Sequence, residues 1–233
     1  MTPFVIINGK SSKQIDGLIV QSLPPITKPL MRTQIETIDG RDGDLVTQLG
    51  YAAYDKAFTI GLKGDYNVDD VVGFFNTSGK ITFSNEIDKY YNFSTYSQID
   101  FKRLLRFRTA AVIVHVQPFK YSLIEGQIIT ANNEIHVRNI GNIYSKPIFT
   151  ITGSGQIDIY INESHKLKID LSNEEETIII DTPGMNALSP SGDYLNRQVT
   201  GDYNNLILQP GINVVKITGA TSEIKIDQYS RWI

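Results

Sequence analysis

Three carboxylates crowd one short stretch, Asp39-Gly40-Arg41-Asp42-Gly43-Asp44. Ca²⁺ is held by carboxylate and carbonyl oxygens, so the residue types suit it. The spacing does not match an EF-hand loop, and Asp-Gly pairs are ordinary turn chemistry, so the reading here is a turn with no metal. Glu174-Glu175-Glu176 is a second acidic run, read as a solvated hairpin tip. The three histidines, His115, His136 and His165, are isolated from one another, and His115 lies in a Val-rich strand where a structural role is expected. No H-E-x-x-H, G-x-S-x-G, phosphate-loop or dinucleotide pattern is present. The carboxylate pair of a glycoside hydrolase can come from distant strands, so the abundance of Asp and Glu carries no weight in either direction. Lys102, Arg103, Arg106 and Arg108, interleaved with Phe101 and Phe107, are types that meet phosphates. In an acidic chain they read instead as the solvated start of a strand. No catalytic residue, cofactor site or metal site is expected, and the chain is read as no enzyme.

The bulk composition is that of an ordinary globular protein: 233 residues, 41% hydrophobic, 20% charged, net charge -3. That balance implies neither specific nucleic-acid binding nor a charged tail. The chain has no cysteine, which excludes disulfides, thiolate metal sites and a Cys nucleophile and fits a reducing cytosol. The opening residues Met1 to Gly9 lack the basic start and the apolar length of a signal peptide. No apolar run approaches the length of a membrane span, so no membrane association is expected.

Around these residues the first half reads as β with one helix. Phe4–Asn8 is a short strand, Leu18 to Ser22 alternates until Pro24-Pro25 stops it, and Phe58, Ile60 and Leu62 alternate with polar neighbours. Asn67 suits an N-cap. Val68, Val71, Val72 and Phe75 then follow at helical spacing, Asp69 and Asp70 favour the first turn, and Gly79 suits the C-terminal cap. Lys80–Asn85 and Tyr90–Tyr96 read as strands, followed by a third from about Leu105 to Gln117. Residues 38–57 are long for a hairpin connection. Their apolar residues fold back on their own sheet or bury against a neighbouring subunit.

The second half reads as short strands only. Ile157, Ile159 and Ile161 alternate, as do Leu167, Ile169 and Leu171. Ile178–Ile180, Leu206–Leu208, Val214–Ile217 and Ile224–Ile226 continue the series. Gly153-Ser154-Gly155, Pro183-Gly184, Pro210-Gly211 and Gly219-Ala220 read as the turns between them. That pattern predicts an antiparallel sandwich. The seam between the halves falls between Ser122 and Asn142, giving an N-terminal domain over 1–125 and a C-terminal domain over 140–233.

Several motifs together resemble the distal tail protein (Dit) family of long non-contractile-tailed phages and prophages. They are Asp39-Gly40-Arg41-Asp42-Gly43 with Tyr54-Asp55, Gln117-Pro118-Phe119-Lys120-Tyr121, and Asn139-Ile140-Gly141-Asn142 ahead of Pro147. Further on come Gly201-Asp202-Tyr203, Leu208-Gln209-Pro210-Gly211-Ile212-Asn213 and Tyr229-Ser230-Arg231-Trp232-Ile233.

The resemblance implies a mainly β fold of two β-sandwich-like domains, the first with one short helix, the second galectin-like. It implies that the first domain forms a belt closing into a homo-hexameric ring. The ring would join the tail tube protein to the tail-associated (Tal) hub protein and leave a channel for the genome. The location implied is the tail tip of the virion, with assembly in the bacterial host cytoplasm. On that premise Gly40–Tyr54 is expected to be an arm against the adjacent subunit, with Leu45, Val46, Leu49, Tyr51 and Tyr54 at the interface and strands Gln34–Ile38 and Ala57–Leu62 paired beneath it. The alternative is a lectin-like carbohydrate-binding module for host-surface attachment. Against it, the only tryptophan is Trp232 and His165 has no Arg at the galectin spacing.

Overall fold

The computed structural model describes residues 2–94 and 99–233. They form two compact units, one holding the chain up to Leu123 and the other running from Ile124 to Trp232. The fold is mainly β.

The first unit contains β1 (Val5–Ile7), β2 (Lys10–Ser11), β3 (Leu18–Ser22), β4 (Met31–Thr37), β5 (Asp44–Tyr51), β6 (Tyr54–Leu62), β7 (Gly79–Phe83), β8 (Lys89–Ser94) and β9 (Thr109–Ser122). Its helices are α1 (Val68–Phe75) and α2 (Phe101–Phe107). The main sheet is antiparallel in the order β2-β1-β7-β8-β9-β6-β3. Phe58 on β6 meets Phe83 on β7 with ring centroids 5.8 Å apart. Three strand spacings would separate those strands by about 14 Å in a flat sheet. The sheet therefore curls over its own apolar face, and α1 lies in that curl: Val71, Phe74 and Phe75 are buried, with Phe75 6.2 Å from Phe58. Asn67 caps the helix, its side chain accepting from Asp69 N at 2.9 Å.

Three local expectations differ from the structure. Gly79 does not cap α1, since Asn76 does. Gly79 instead opens β7 at φ +134, where an added Cβ would come within 2.3 Å of the Asn8 side chain. The basic stretch is not the start of a strand but α2, capped by Asp100, whose carboxylate accepts from Arg103 N at 2.8 Å. It stops on Arg108 in the left-handed region at φ 57, a position where glycine would normally signal the stop. Of the strand expected over Tyr90–Tyr96, the described part to Ser94 is strand, and Tyr96 lies outside the described residues. Finally, Gln34–Ile38 does not pair with Ala57–Leu62. β4 pairs with β5 as a separate two-stranded sheet, while β6 pairs with β3 and β9.

The second unit contains β10 (Ile128–Thr130), β11 (Glu134–Asn139), β12 (Ile148–Ile161), β13 (Ser164–Asp170), β14 (Glu176–Asp181), β15 (Asn186–Leu188), β16 (Val199–Gly201) and β17 (Gly211–Asp227), with β18 at Arg231–Trp232. Its organisers are β12 and β17, of 14 and 17 residues. The Gly153-Ser154-Gly155 and Gly219-Ala220 signals, read as turns, lie inside these strands as bends, since a glycine within a strand commonly marks a bulge or close approach. Leu206 and Leu208 are buried, but their segment forms no strand, making only an isolated bridge from Leu208 to Ser145. On one side of the bend β12 runs between β14 and the later half of β17, beside β15 and β10. On the other it runs between β13 and the earlier half of β17, beside β16 and β11. Strands that switch sheets at bulges build the corners of a sandwich. Ser222 is the extra residue on β17, and it moves the buried set from Val215 and Ile217 to Ile224 and Ile226.

The motifs of this half are staples. Asn139, buried, donates to Ile143 O at 2.9 Å and Leu208 O at 3.0 Å and accepts from Gly141 N. Asn213 accepts from Gln209 N at 2.9 Å and donates to Gln209 O at 2.7 Å, closing the Pro210-Gly211 turn. Glu125 accepts from Ser230 N at 2.7 Å, and Arg231 Nε donates to Tyr144 O at 2.7 Å.

Gly219 sits at φ +116, and a Cβ there would lie 2.4 Å from Gln156 O. Gly219→Ala should cost about 1–3 kcal/mol. Gly126→Ala, where a Cβ meets nothing within 4 Å, should stay within about 0.5 kcal/mol of the parent. Urea unfolding midpoints at unchanged slope measure both.

Candidate functional site

β4 and β5 form a ribbon about 25 Å long whose every residue from Arg32 to Leu49 is exposed. Each inner side chain has only its cross-strand neighbour, and the apolar residues stand in water: Ile35 is 61% exposed, Val46 54% and Leu49 52%. The register pairs Ile35 with Val46 and Glu36 with Leu45. Leu45 and Val46 therefore point to opposite faces, while Leu49 sits in the bulge between the Arg32 and Thr33 pairings. The expected interface set thus divides. Leu45, Val46 and Leu49 are spread around the ribbon. Tyr51 and Tyr54 root it in its own unit, Tyr51 edge-on to Phe119 at 5.4 Å and Tyr54 against the core, its hydroxyl donating to Thr27 O at 3.4 Å. Asp39, Asp42 and Asp44 are exposed at the tip, where Asp44 accepts from Thr37 Oγ1.

Beneath the root lies a buried polar cluster that the sequence reading does not single out. Lys120 Nζ lies 2.9 Å from Glu86 Oε1, with both side chains about nine-tenths buried. Tyr91 OH donates to Glu86 Oε2 at 3.0 Å. Lys56 is only 3% exposed, its ammonium donating to Pro25 O at 2.8 Å and standing 5.0 Å from the Tyr91 ring centroid. Burial lowers the Lys56 pKa, the Glu86 charge opposes the shift and the Lys120 charge adds to it. Burial likewise raises the pKa of the Tyr91 hydroxyl. Asn85 Nδ2 donates to Pro24 O at 3.2 Å, and Ala52 N to Leu30 O at 2.8 Å. The irregular segment leading into the ribbon is thus held by its backbone carbonyls. The signal was present in the sequence: Lys56 precedes Phe58, Ile60 and Leu62 on the inward period of β6, and Lys120 follows Val112, Val114 and Val116 on that of β9.

The remaining candidates lie apart from one another. His115 Nδ1 lies 2.7 Å from Asp55 Oδ1 across the β6–β9 pair of the first unit, and His136 is exposed on β11. In the second unit His165 Nε2 lies 3.0 Å from Asp158 Oδ1, and the ring stands edge-on to Tyr160. The Gln156 amide, together with His165, holds the Asp158 carboxyl below its usual range. An open groove of about 720 Å³ on this unit is lined by Glu134, Tyr160, Asn162, Glu163, Val214, Lys216 and Thr218. Trp232 does not line it. Lys102, Arg103, Arg106 and Arg108 are all exposed. Among the described residues no group of three or more His, Asp or Glu side chains could hold a metal ion, and no helix is long and apolar enough to cross a membrane.

No protein-family model and no curated protein matches the sequence. The structure is similar to that of SPP1 Dit (gp 19.1), described as a paradigm of the hub adsorption apparatus in phages infecting Gram-positive bacteria. The match has a TM-score of 0.64 at 14% identity and covers 97% of this chain and 99% of that one. It is also similar to chains of the phage P2 baseplate in its activated conformation. With Ca the TM-score is 0.44 at 11% identity over 97% and 98% of the two chains, and with Sr 0.43 at 10% over 98% of each. The chain has the Dit fold from end to end.

Removing one partner of a buried ion pair strands the other. Glu86→Gln should therefore cost about 3–5 kcal/mol, because Lys120 and Lys56 remain buried without a countercharge. Lys120→Met combined with Glu86→Gln should recover much of that loss in the same denaturation measurement.

Proposed function

We propose that this chain is a structural protein of a phage tail tip, forming a hexameric ring between the tail tube protein and the tail-associated hub protein, with a central channel for the genome. The first unit makes the ring and the second, galectin-like unit lies outside it. The protein catalyses nothing, and its surroundings are the virion tail and, during assembly, the host cytoplasm. The observation that carries this reading is the ribbon from Met31 to Tyr51, exposed on both faces yet firmly rooted. A two-stranded ribbon alone is marginal in water, so this one is shaped to be covered by a neighbour. Leu45, Val46 and Leu49 supply the apolar contacts, and Tyr51 and Tyr54 fix the direction of the arm. The fold likeness to SPP1 Dit along nearly all of both chains supports the same reading. So do the motifs of the second unit, which close its turns and join its ends.

Light scattering on the purified protein tests it. The expected mass is six times 26.1 kDa. A variant in which 33–49 is replaced by a tight turn should keep the β circular-dichroism signal and lose the multimer. Assembly of that variant as readily as the parent would remove the arm from the ring. Outright unfolding would mean that the ribbon supports its own unit instead.

A further inference from the structure

We infer that the seat for the ribbon tip is helix α2 of a second copy of this chain, an inference that rests on the ring reading above. From Glu36 to Asp44 the ribbon end carries Glu36, Asp39, Asp42 and Asp44 against Arg41 alone. All of these are exposed. From Asp100 to Arg108 the helix carries Lys102, Arg103, Arg106 and Arg108 against Asp100, and Asp100 is spent on the helix cap. Among the described residues no acidic side chain lies within 4.0 Å of those four bases. Beside them Phe107 is 61% and Leu105 41% exposed, matching the apolar Ile35, Ile38 and Val46 of the ribbon. Opposite charge around an apolar centre is the pattern of a specific interface.

The ladder between β6 and β9 decides that the two surfaces meet between copies. Tyr54, at the ribbon root, pairs with Val116, whereas Gly61 pairs with Thr109, the residue two positions beyond the end of α2. Root and helix therefore stand at opposite ends of β6, about 23 Å apart. The ribbon touches no part of that ladder, since every residue from Arg32 to Leu49 is exposed. Two complementary patches at opposite ends of one unit make a heterologous contact, which closes into a ring or runs on as a filament. Such a contact uses each patch once per subunit.

The chain has no cysteine, so an engineered pair reports without background. Asp42→Cys and Arg106→Cys placed together in the full chain should give, on mild oxidation, a ladder of covalent multimers on a non-reducing gel. Each single variant should stop at dimers or monomers. In parallel, Arg103→Glu with Arg106→Glu should raise the concentration at which the parent assembles by about tenfold or more. Adding Asp42→Lys and Asp44→Lys should bring it back to within about threefold. A parent that assembles while the cysteine pair gives no ladder and charge reversal changes nothing overturns this seat and leaves the ring reading intact. A fast-migrating monomer with the two cysteines joined internally also overturns it, because the ribbon would then fold onto its own helix. A parent that stays monomeric at every concentration overturns both readings.

Discussion

Water on both faces of a β-ribbon is the constraint around which this molecule is arranged. A strand pair gains its hold from hydrogen bonds that water can replace and from side chains that must be covered by something. Between Arg32 and Leu49 nothing among the described residues covers them. Such a segment stays extended only if its base is held rigidly, and the base here is unusually well held. Buried Lys56 and exposed Asn85 donate to the carbonyls of Pro25 and Pro24, Tyr51 and Tyr54 pack inward, and Glu86 balances the buried ammonium groups.

The same strands that build the root build the core. β6 carries Lys56 and then Phe58, Ile60 and Leu62 on one face, so polar anchor and apolar core are consecutive inward positions of one strand. The curl that brings Phe58 onto Phe83 and Phe75 also brings β7 and β8 round. Between those two strands runs the turn that supplies Glu86 to Lys120 and Tyr91. Loss of core packing would therefore reach the arm, because the cluster sits where the curl closes.

What the sequence made legible follows the period of its apolar residues. The strands of alternating Ile and Leu and the Asn67-capped helix could be read directly, since each has one buried face and an ordinary start. The second helix could not. Phe101 to Phe107 buries only Leu104, so it shows no stripe, and it ends on Arg108 where a glycine would have marked it. The ribbon was legible as apolar residues with no core to join but not as strands, because neither of its faces is buried and so no alternation appears. Lys56 and Lys120 were legible in position and overlooked by type: a lysine on an inward period asks for a carboxylate, and Glu86 lies far from both in sequence. The glycines at 153 and 219 misled in the opposite sense, since a bend within a strand and a turn between strands use the same residue.

The bend in the second unit sets how that unit can change in length. β12 carries two more residues than β17 between the pairings of Ser154 with Ala220 and Asp158 with Thr218, and its inward set stays odd-numbered across the bend, from Phe149 and Ile151 to Ile157 and Ile159. β17 carries the single extra Ser222 and its inward set passes from odd to even. Insertions and deletions here obey a counting rule in place of a chemical one. A codon pair gained within β12 at the bend leaves every isoleucine facing the core, whereas a single codon gained there turns the isoleucines on one side of the bend outward together. Loss of Ser222 only removes the bulge and leaves Ile224 opposite Ile151. The geometry of these strands thus constrains residue number more tightly than residue type.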